Sequence, residues 1–372
     1  MGQYLYGASN VDLNERGYLK RRKGTTTQVA GVAHSLWGDA QGSYVVVAGS
    51  LWAYTPPDVL TLVRPDIGNA RLSYSRGADN DVYWSNGQLI RRIASGVDRP
   101  VANDPPNPMA TPIVGAGALA AGTYLLATTI RNADGESPAS TMVAIQLPAG
   151  SSITIVSQQN VSVYMSAANG DVLTLQGTGT EVFIATHNEN ASRCMVLDSA
   201  VMPPGQIVRH YRGSMLVAGG NTLYISDPYN YGIYNPSKGY IPFPAPITVV
   251  EPMDNGVWIC ADHTYWIGDL QGDALQEVYP QGAVLGTSGR MAHDESVFWQ
   301  SQHGLIIADK NMGFKNVQED ALRFPEASSG ASLYRERDGM THIVTTRFGV
   351  ETSNAAADSF MSAEIIRKGT KL

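Results

Sequence analysis

Seven histidines, two cysteines and 33 carboxylates are the residues of this 372-residue chain that could hold a metal or run acid–base chemistry. The histidines are His34, His187, His210, His263, His293, His303 and His342, and no two stand at a metal-ligand spacing such as H-x-H or H-E-x-x-H. The spacing therefore predicts no metal and no cofactor. His263 and His303 fall at equivalent turns of two similar hairpins, the mark of a repeated structural unit. "HDES" crowds His293, Asp294 and Glu295, but neighbours on an extended chain point to opposite faces, so it reads as a solvated turn. Cys194 and Cys260 are too few for a disulfide framework or a zinc site and read as buried reduced thiols.

Nucleophiles and phosphate loops fare no better. "LGTSGR" around Ser288 lacks the G-x-S-x-G elbow and its strand-to-helix setting. "GAGALAAG" (115–122) matches a phosphate loop only in glycine content, with no Lys-Ser/Thr ending and no helix to follow. "NADGE" (132–136) offers oxygens of the kind calcium takes, yet it is too short for an EF-hand loop and reads as a hairpin turn. Glycoside hydrolysis needs two carboxylates across a cleft, and no pair stands out. The reading is of a protein that is not an enzyme.

Two stretches are suited to contact. "SDPYNYGIYNPSKGYIPFP" (226–244) carries Tyr229, Tyr231, Tyr234 and Tyr240 among Pro, Asn and Gly. Such a loop can form a protein interface, cover a sheet edge, or stack a sugar or a base. Lys20, Arg21, Arg22 and Lys23, with Arg16 just ahead, make a basic knot in a chain of net charge -7. The knot can contact a neighbouring subunit, face DNA, or discourage pairing at a strand edge.

The elements that must position these residues are strands. "SYVVVAGSLWAY" (43–54), "DVYWSNGQLIRRI" (81–93), "SMLVAGGNTLYISD" (214–227), "GVWICADHTYWIGD" (256–269) and "SVFWQSQHGLIIAD" (296–309) each join two β-rich runs through a polar turn. These hairpins recur about every 40 residues, close to the ~40–50 of a propeller blade, and roughly six blades use up the chain. The expected fold is all-β: an irregular β-propeller with an inserted immunoglobulin- or fibronectin-like sandwich. A pair of plain β-sandwiches is the competing architecture. The insert is expected after "DRPVANDPPNPMATP" (98–112), whose five prolines stop strand and helix alike. Short strands with polar turns follow, including Thr123 to Arg131 and a turn at Asn132 to Gly135, while the glycine-broken "IVGAGALAAG" before them reads as a loop. The predicted layout is residues 1–106 as the first part of the propeller, 107–190 as the sandwich, 191–350 as the remaining blades and 351–372 as a closing strand or tail.

Composition agrees. Hydrophobic residues at 43% can build a core, while charged residues at 16% leave a surface of Ser, Thr, Asn, Gln and Gly suited to protein contacts. The acidic balance argues against wholesale nucleic-acid binding but not against DNA passing by without sticking. The start, "MGQYLYGASN", lacks the pattern of a signal peptide, and no apolar run approaches the ~20 residues of a membrane span, so synthesis and assembly in a cytoplasm are expected.

The order of several loose motifs resembles a tail protein family of bacteriophages. "SNVDLNERGYLKRRKGTTTQVAGVAHSLWG" is similar to its amino-terminal signature, supplying Asn10, Val11 and Asp12, then Gly17, Leu19, Arg21, Arg22 and Gly24. "GSMLVAGGNTLYISDPYNYGIYNP" resembles its central blade, "HGLIIADKNMGFKNVQED" a late blade, and "ADSFMSAEIIRKG" its closing strand. The resemblance implies a structural virion protein, the nozzle or tail-tip subunit of short-tailed phages. It further implies a ring, six-fold in the family, around the DNA channel, with tail, adaptor and fibre proteins as neighbours and duplex DNA passing without sequence recognition. In this chain the Asn-Val-Asp strand comes almost at once, so little of the family's upstream arm, and of any adaptor contact it makes, is expected. The alternatives are a receptor- or glycan-binding tail-tip protein with the sandwich as its adhesive module, and a propeller glycosidase or depolymerase.

Overall fold

The structure, a computed structural model, describes residues 11–13, 18–21, 31–106, 111–268, 270, 275–292, 295–318, 327–337, 340–349 and 359–367. A short hairpin joins β1 (Val11–Leu13) to β2 (Leu19–Arg21). A four-stranded antiparallel meander follows, β3 (Ala33–Asp39), β4 (Gly42–Val47), β5 (Ser50–Thr55) and β6 (Val59–Arg64). The second meander is β7 (Ser73–Arg76), β8 (Val82–Ser85), β9 (Ile90–Ala94) and β10 (Val97–Pro100). A six-stranded sheet then intervenes: β11 (Thr111–Leu119), β12 (Gly122–Asn132), β13 (Gly135–Glu136), β14 (Val143–Leu147), β15 (Ser151–Ser166) and β16 (Leu173–Ile184).

After β17 (Ala200–Val201) the third meander runs through β18 (Ile207–Tyr211), β19 (Ser214–Gly219) and β20 (Thr222–Ile225). The chain leaves it for β21 (Ile233–Tyr234), which pairs with β17, and returns as β22 (Tyr240–Pro242). The fourth is β23 (Val249–Met253), β24 (Gly256–Cys260), β25 (Thr264–Ile267) and β26 (Leu275–Tyr279). The fifth is β27 (Gly289–Arg290), β28 (Val297–Ser301), β29 (Gly304–Ala308) and β30 (Phe314–Asn316). A three-stranded sheet closes the series: β31 (Ser329–Arg337), β32 (Met340–Phe348) and β33 (Ser359–Arg367).

The chain is all-β, an irregular β-propeller of blade-type meanders carrying an inserted sandwich. The first strands of the six repeated sheets begin at residues 33, 73, 207, 249, 289 and 329, an interval of 40 to 42 everywhere except across the insertion. By contacts the chain divides into two compact units, Ala70–Phe243 and the combination of Met1–Asn69 with Pro244–Leu372.

In the second of these units the blade pattern is plainest at β23 to β30. Every residue of β23, β24, β25, β28 and β29 is buried, whereas the outer strand β26 is largely exposed. A strand covered on both faces gains from apolar residues at every position, which is why "GVWIC" reads as a run and not as an alternation. Trp258, Trp266 and Trp299 share one core with Val249, Val297 and Ile306. Trp258 lies 5.0 Å from Trp266 and 5.8 Å from Trp299 between ring centroids, and its indole N–H donates to the Asp309 carbonyl at 3.0 Å. Trp84, Trp258 and Trp299 hold the third position of the second strand in three blades.

In the Ala70–Phe243 unit the inserted sandwich is one sheet curled on itself. The first half of β15 pairs with β11 and the second half with β12, with a register break between Val156 and Val161. β16 follows β15 along both halves, so two strands run through both layers, where separate sheets are the immunoglobulin arrangement. Leu126, Ile153, Val163 and Ile184 fill the core between the layers. The stretch 113–119, expected as a loop, is strand. Its glycines permit this: a Cβ on Gly117 would stand 2.6 Å from the Ser151 carbonyl oxygen and from Ser152 Cβ. "NADGE" is the expected hairpin turn, with Asn132 opposite Gly135.

Candidate functional site

The site is built on β7 and β18, the first strands of two neighbouring blades. β7 reads Ser-Tyr-Ser-Arg, and alternation sends both serines to one side while Tyr74 is buried on the other. Ser73 Oγ accepts the Val208 N–H at 3.0 Å, and Ser75 Oγ accepts the His210 N–H at 2.8 Å. Ser85 Oγ, on the second strand, accepts from Gly205 N–H at 3.1 Å. Serine hydroxyls thus satisfy backbone donors on the side of β18 that no strand pairs, a requirement for any buried amide. Arg209 adds a guanidinium hydrogen bond to Ser73 Oγ at 3.2 Å.

This edge holds His210 against the tyrosine-rich loop. Tyr231 Oη lies 3.2 Å from His210 Nε2, and its ring meets the rings of His210 and Tyr83 edge-on, each at 5.4 Å. Tyr83 donates its hydroxyl to Asp79 Oδ2 at 2.7 Å. A Cβ on Gly77 would come within 3.0 Å of both tyrosine rings, so only glycine lets the β7–β8 turn close over them. Burial pushes the phenols of Tyr83 and Tyr231 up, with the Asp79 hydrogen bond adding to the effect at Tyr83. Burial also holds His210 below the ordinary histidine range, against the pull of Asp79. The cluster is a set of protonated phenols and a neutral imidazole that fixes the loop by ring contacts and hydrogen bonds.

Above it sits Tyr229. Its backbone is left-handed, φ 58°, and its N–H donates to the Gly213 carbonyl at 2.7 Å. Its ring lies on Gly213, where a Cβ would stand 3.0 to 3.3 Å from three ring carbons. The side chain is 78% exposed, with the exposed Arg212 and Asp79 at the same end of the two blades.

The four tyrosines singled out in the sequence therefore separate. Tyr229 and Tyr240 are exposed, Tyr240 at 44% on β22 opposite Tyr224. Tyr231, at 3% exposure, is a core residue and is not available to a partner, because the loop folds inward at Asn230 to pair β21 with β17. Tyr234 is half-buried, its ring 5.3 Å from Tyr224. Of the basic knot, Lys20 and Arg21 lie on β2 in register with Asp12 and Val11 of β1, whereas Arg22 and Lys23 fall outside the described residues.

His263 and His303 do occupy equivalent turns, between the second and third strands of two blades, and His263 Nδ1 lies 3.0 Å from Glu277 Oε1. His293 and Asp294 fall outside the described residues. Ser288 donates its hydroxyl to the buried Glu251 carboxylate at 2.7 Å, a link from the loop before β27 to β23. Burial pushes the Cys260 thiol up to about 12 and the half-buried Cys194 thiol up to about 11, which leaves both as thiols. Among the described residues no group of three or more His, Cys, Asp and Glu could hold a metal ion. Nor is any helix among them long and apolar enough to cross a membrane.

Sequence reasoning missed the joint between the insert and the blades. Asp134, at the tip of the β12–β13 turn, lies 3.2 Å from Arg92 and 3.1 Å from Arg99, and Arg92 also reaches Asp81 at 3.1 Å. Asn103 and Asn132 exchange amide hydrogen bonds at 2.9 Å. Arginines thus take the turn oxygens that resemble calcium ligands in the sequence. The only cue was the local charge of "IRRI" and "DRP".

No protein-family model matches the chain, and no curated protein matches it. Among solved structures it is similar to BBS1N in complex with ARL6DN, at 8% identity and TM-score 0.37 over 92% of this chain and 95% of that one. It is also similar to the extracellular domain of BT4673 from B. thetaiotaomicron, at 9% identity and TM-score 0.27 over 97% of this chain and 57% of that one. The endosialidase of phage phi92 matches at 11% identity and TM-score 0.21, over 89% and 64%. Likenesses at this level carry no functional weight.

Proposed function

We propose that the chain is a non-enzymatic structural protein of a bacteriophage tail, at the nozzle or tail tip. In this reading several copies, six in the family it resembles, form a ring that conducts or gates DNA, with tail, adaptor and fibre proteins around it. One observation carries the reading: the family-like motifs run along the chain in the family's order. They occupy the β1–β2 hairpin, the β19 to β21 stretch, β29 to β30 and the closing strand β33. The low charge content and net charge of -7 suit a conduit, since DNA with one charge per ~1.7 Å would stall on a basic wall.

Replacing Lys20, Arg21, Arg22 and Lys23 together by Gln tests it. In this reading the four side chains are at the surface, where substitutions cost about ±0.5 kcal/mol each, so the fold is expected to survive. Incorporation into particles should fall, and salt should weaken assembly of the parent protein. Normal incorporation with lost retention of duplex DNA would replace the assembly role by DNA contact.

A receptor-binding role for the sandwich draws on a separate observation. Ile113 and Phe183 flank Thr154 across β11, β15 and β16 on the sheet's outer face, with Val156 two residues along, and all three apolar side chains are exposed. Removing residues 107–190 through a Gly-Ser linker should then abolish adsorption to host cells while leaving ring assembly intact.

A further inference from the structure

We propose that Tyr229 is a saccharide-stacking platform. Three features set it apart from an ordinary surface tyrosine. First, a non-glycine residue with a large side chain holds a left-handed backbone at φ 58°, a conformation that costs free energy and persists where surroundings impose it. Second, the ring is exposed at 78% yet does not hang free: its back lies on Gly213, itself at φ 79°, and its N–H is tied to the Gly213 carbonyl at 2.7 Å. Third, the support beneath is rigid. The Asp227–Asn230 turn and the buried Tyr231, locked against Tyr83 and His210, fix the loop from below.

A ring held flat with one face open loses little freedom when a ligand covers that face, so contact is not offset by ordering. A pyranose presents one such partner, an apolar C–H face rimmed by hydroxyls. The C–H face covers the phenol ring, and its hydroxyl rim stays toward water and the polar turns at this end of the blades, which carry the exposed Asp79 and Arg212. A nucleic-acid strand could use the ring in the same way, but it would bring phosphates to a chain of net charge -7. The inference concerns the blades and not the inserted sandwich, and it does not rest on the tail reading.

The full chain, its Tyr229→Asn variant and its Tyr229→Phe variant would be applied to a glycan array that includes bacterial surface polysaccharides. Asn tolerates the left-handed backbone and removes the ring, while Phe keeps the stacking face. Parent and Phe variant are expected to retain the same saccharides, and the Asn variant to bind them at least about tenfold more weakly, a loss of 1.4 kcal/mol. Melting curves establish that the Asn variant is folded; if it is not, Tyr229→Gly, which takes the left-handed backbone without strain, replaces it and the same loss is expected. Absence of retained saccharides by the parent overturns the proposal, and so does equal retention by the ringless variant. Ring-dependent binding of a thymidine oligonucleotide, or ring-dependent self-association, with no saccharide retained, would also overturn it.

Discussion

The blade pair β23 to β30 and the blade pair β7 to β10 with β18 to β22 use the same meander but are joined by different physics. In the first pair, Trp258, Trp266 and Trp299 with aliphatic neighbours form a shared apolar core, and the polar links Ser288 to Glu251 and Arg290 to the Pro252 carbonyl lie at its edge. In the second, serine hydroxyls of β7 bind the backbone of β18, and a His–Tyr–Tyr–Asp cluster fills the turn end. An apolar joint tolerates small shifts, because burial is non-directional, whereas a hydrogen-bonded joint fixes register. The second kind is found where an exposed, strained tyrosine must be held in place.

The comparison makes four predictions. Trp258→Ala should be the most damaging change, about 3–5 kcal/mol in urea unfolding, since it opens a cavity beside Trp299 and orphans the Asp309 carbonyl. A cost below that of any serine change would mean that the apolar joint is not what holds these blades. Changing Ser73 and Ser75 together to Ala should cost about 1–3 kcal/mol by stranding the Val208 and His210 amides, and should raise hydrogen exchange at those two positions first. Uniform loss of protection would argue against a local joint.

Asp134→Asn probes the joint between insert and blade. Two partly exposed ion pairs are lost, so up to about 1 kcal/mol is expected, shrinking in high salt. An effect insensitive to salt would point to hydrogen bonding alone.

The smallest effect is on pH dependence. Burial holds His210 below its unfolded value, so the unfolded chain takes up a proton at a higher pH than the folded one. The stability involved is fully present above the unfolded value of ~6.5 and is lost as pH falls from there toward the folded value. His210→Gln should flatten the change in melting temperature between about pH 7 and 5. An unchanged slope would remove His210 from the cluster's energetics.

Much of the framework was legible because it is local. Turn chemistry gives the hairpins: in "SNGQL" Asn86 Oδ1 accepts the N–H groups of Gln88 and Leu89 at 2.9 and 2.8 Å, and Gly87 takes φ 86°. Continuous apolar runs mark strands covered on both faces, and their 40-residue return marks blades. The proline cluster before the insert and the Asn132–Gly135 turn inside it are equally local signals.

Sequence by itself thus determined the fold class and the repeat, since propensity, turn residues and periodicity act within a few positions. What only tertiary structure decided is which side of each tyrosine meets water and which distant groups meet each other. Tyr229 and Tyr231 are two residues apart in one loop, yet one is exposed and the other buried, because Gly213 and Gly77, far apart in sequence, leave room for a ring at each. Ser75 meets His210 across 135 residues, and Asp134 meets Arg92 across 42. No local rule carries such pairings; they exist only once the sheets have packed and their unpaired amides and charges have found partners.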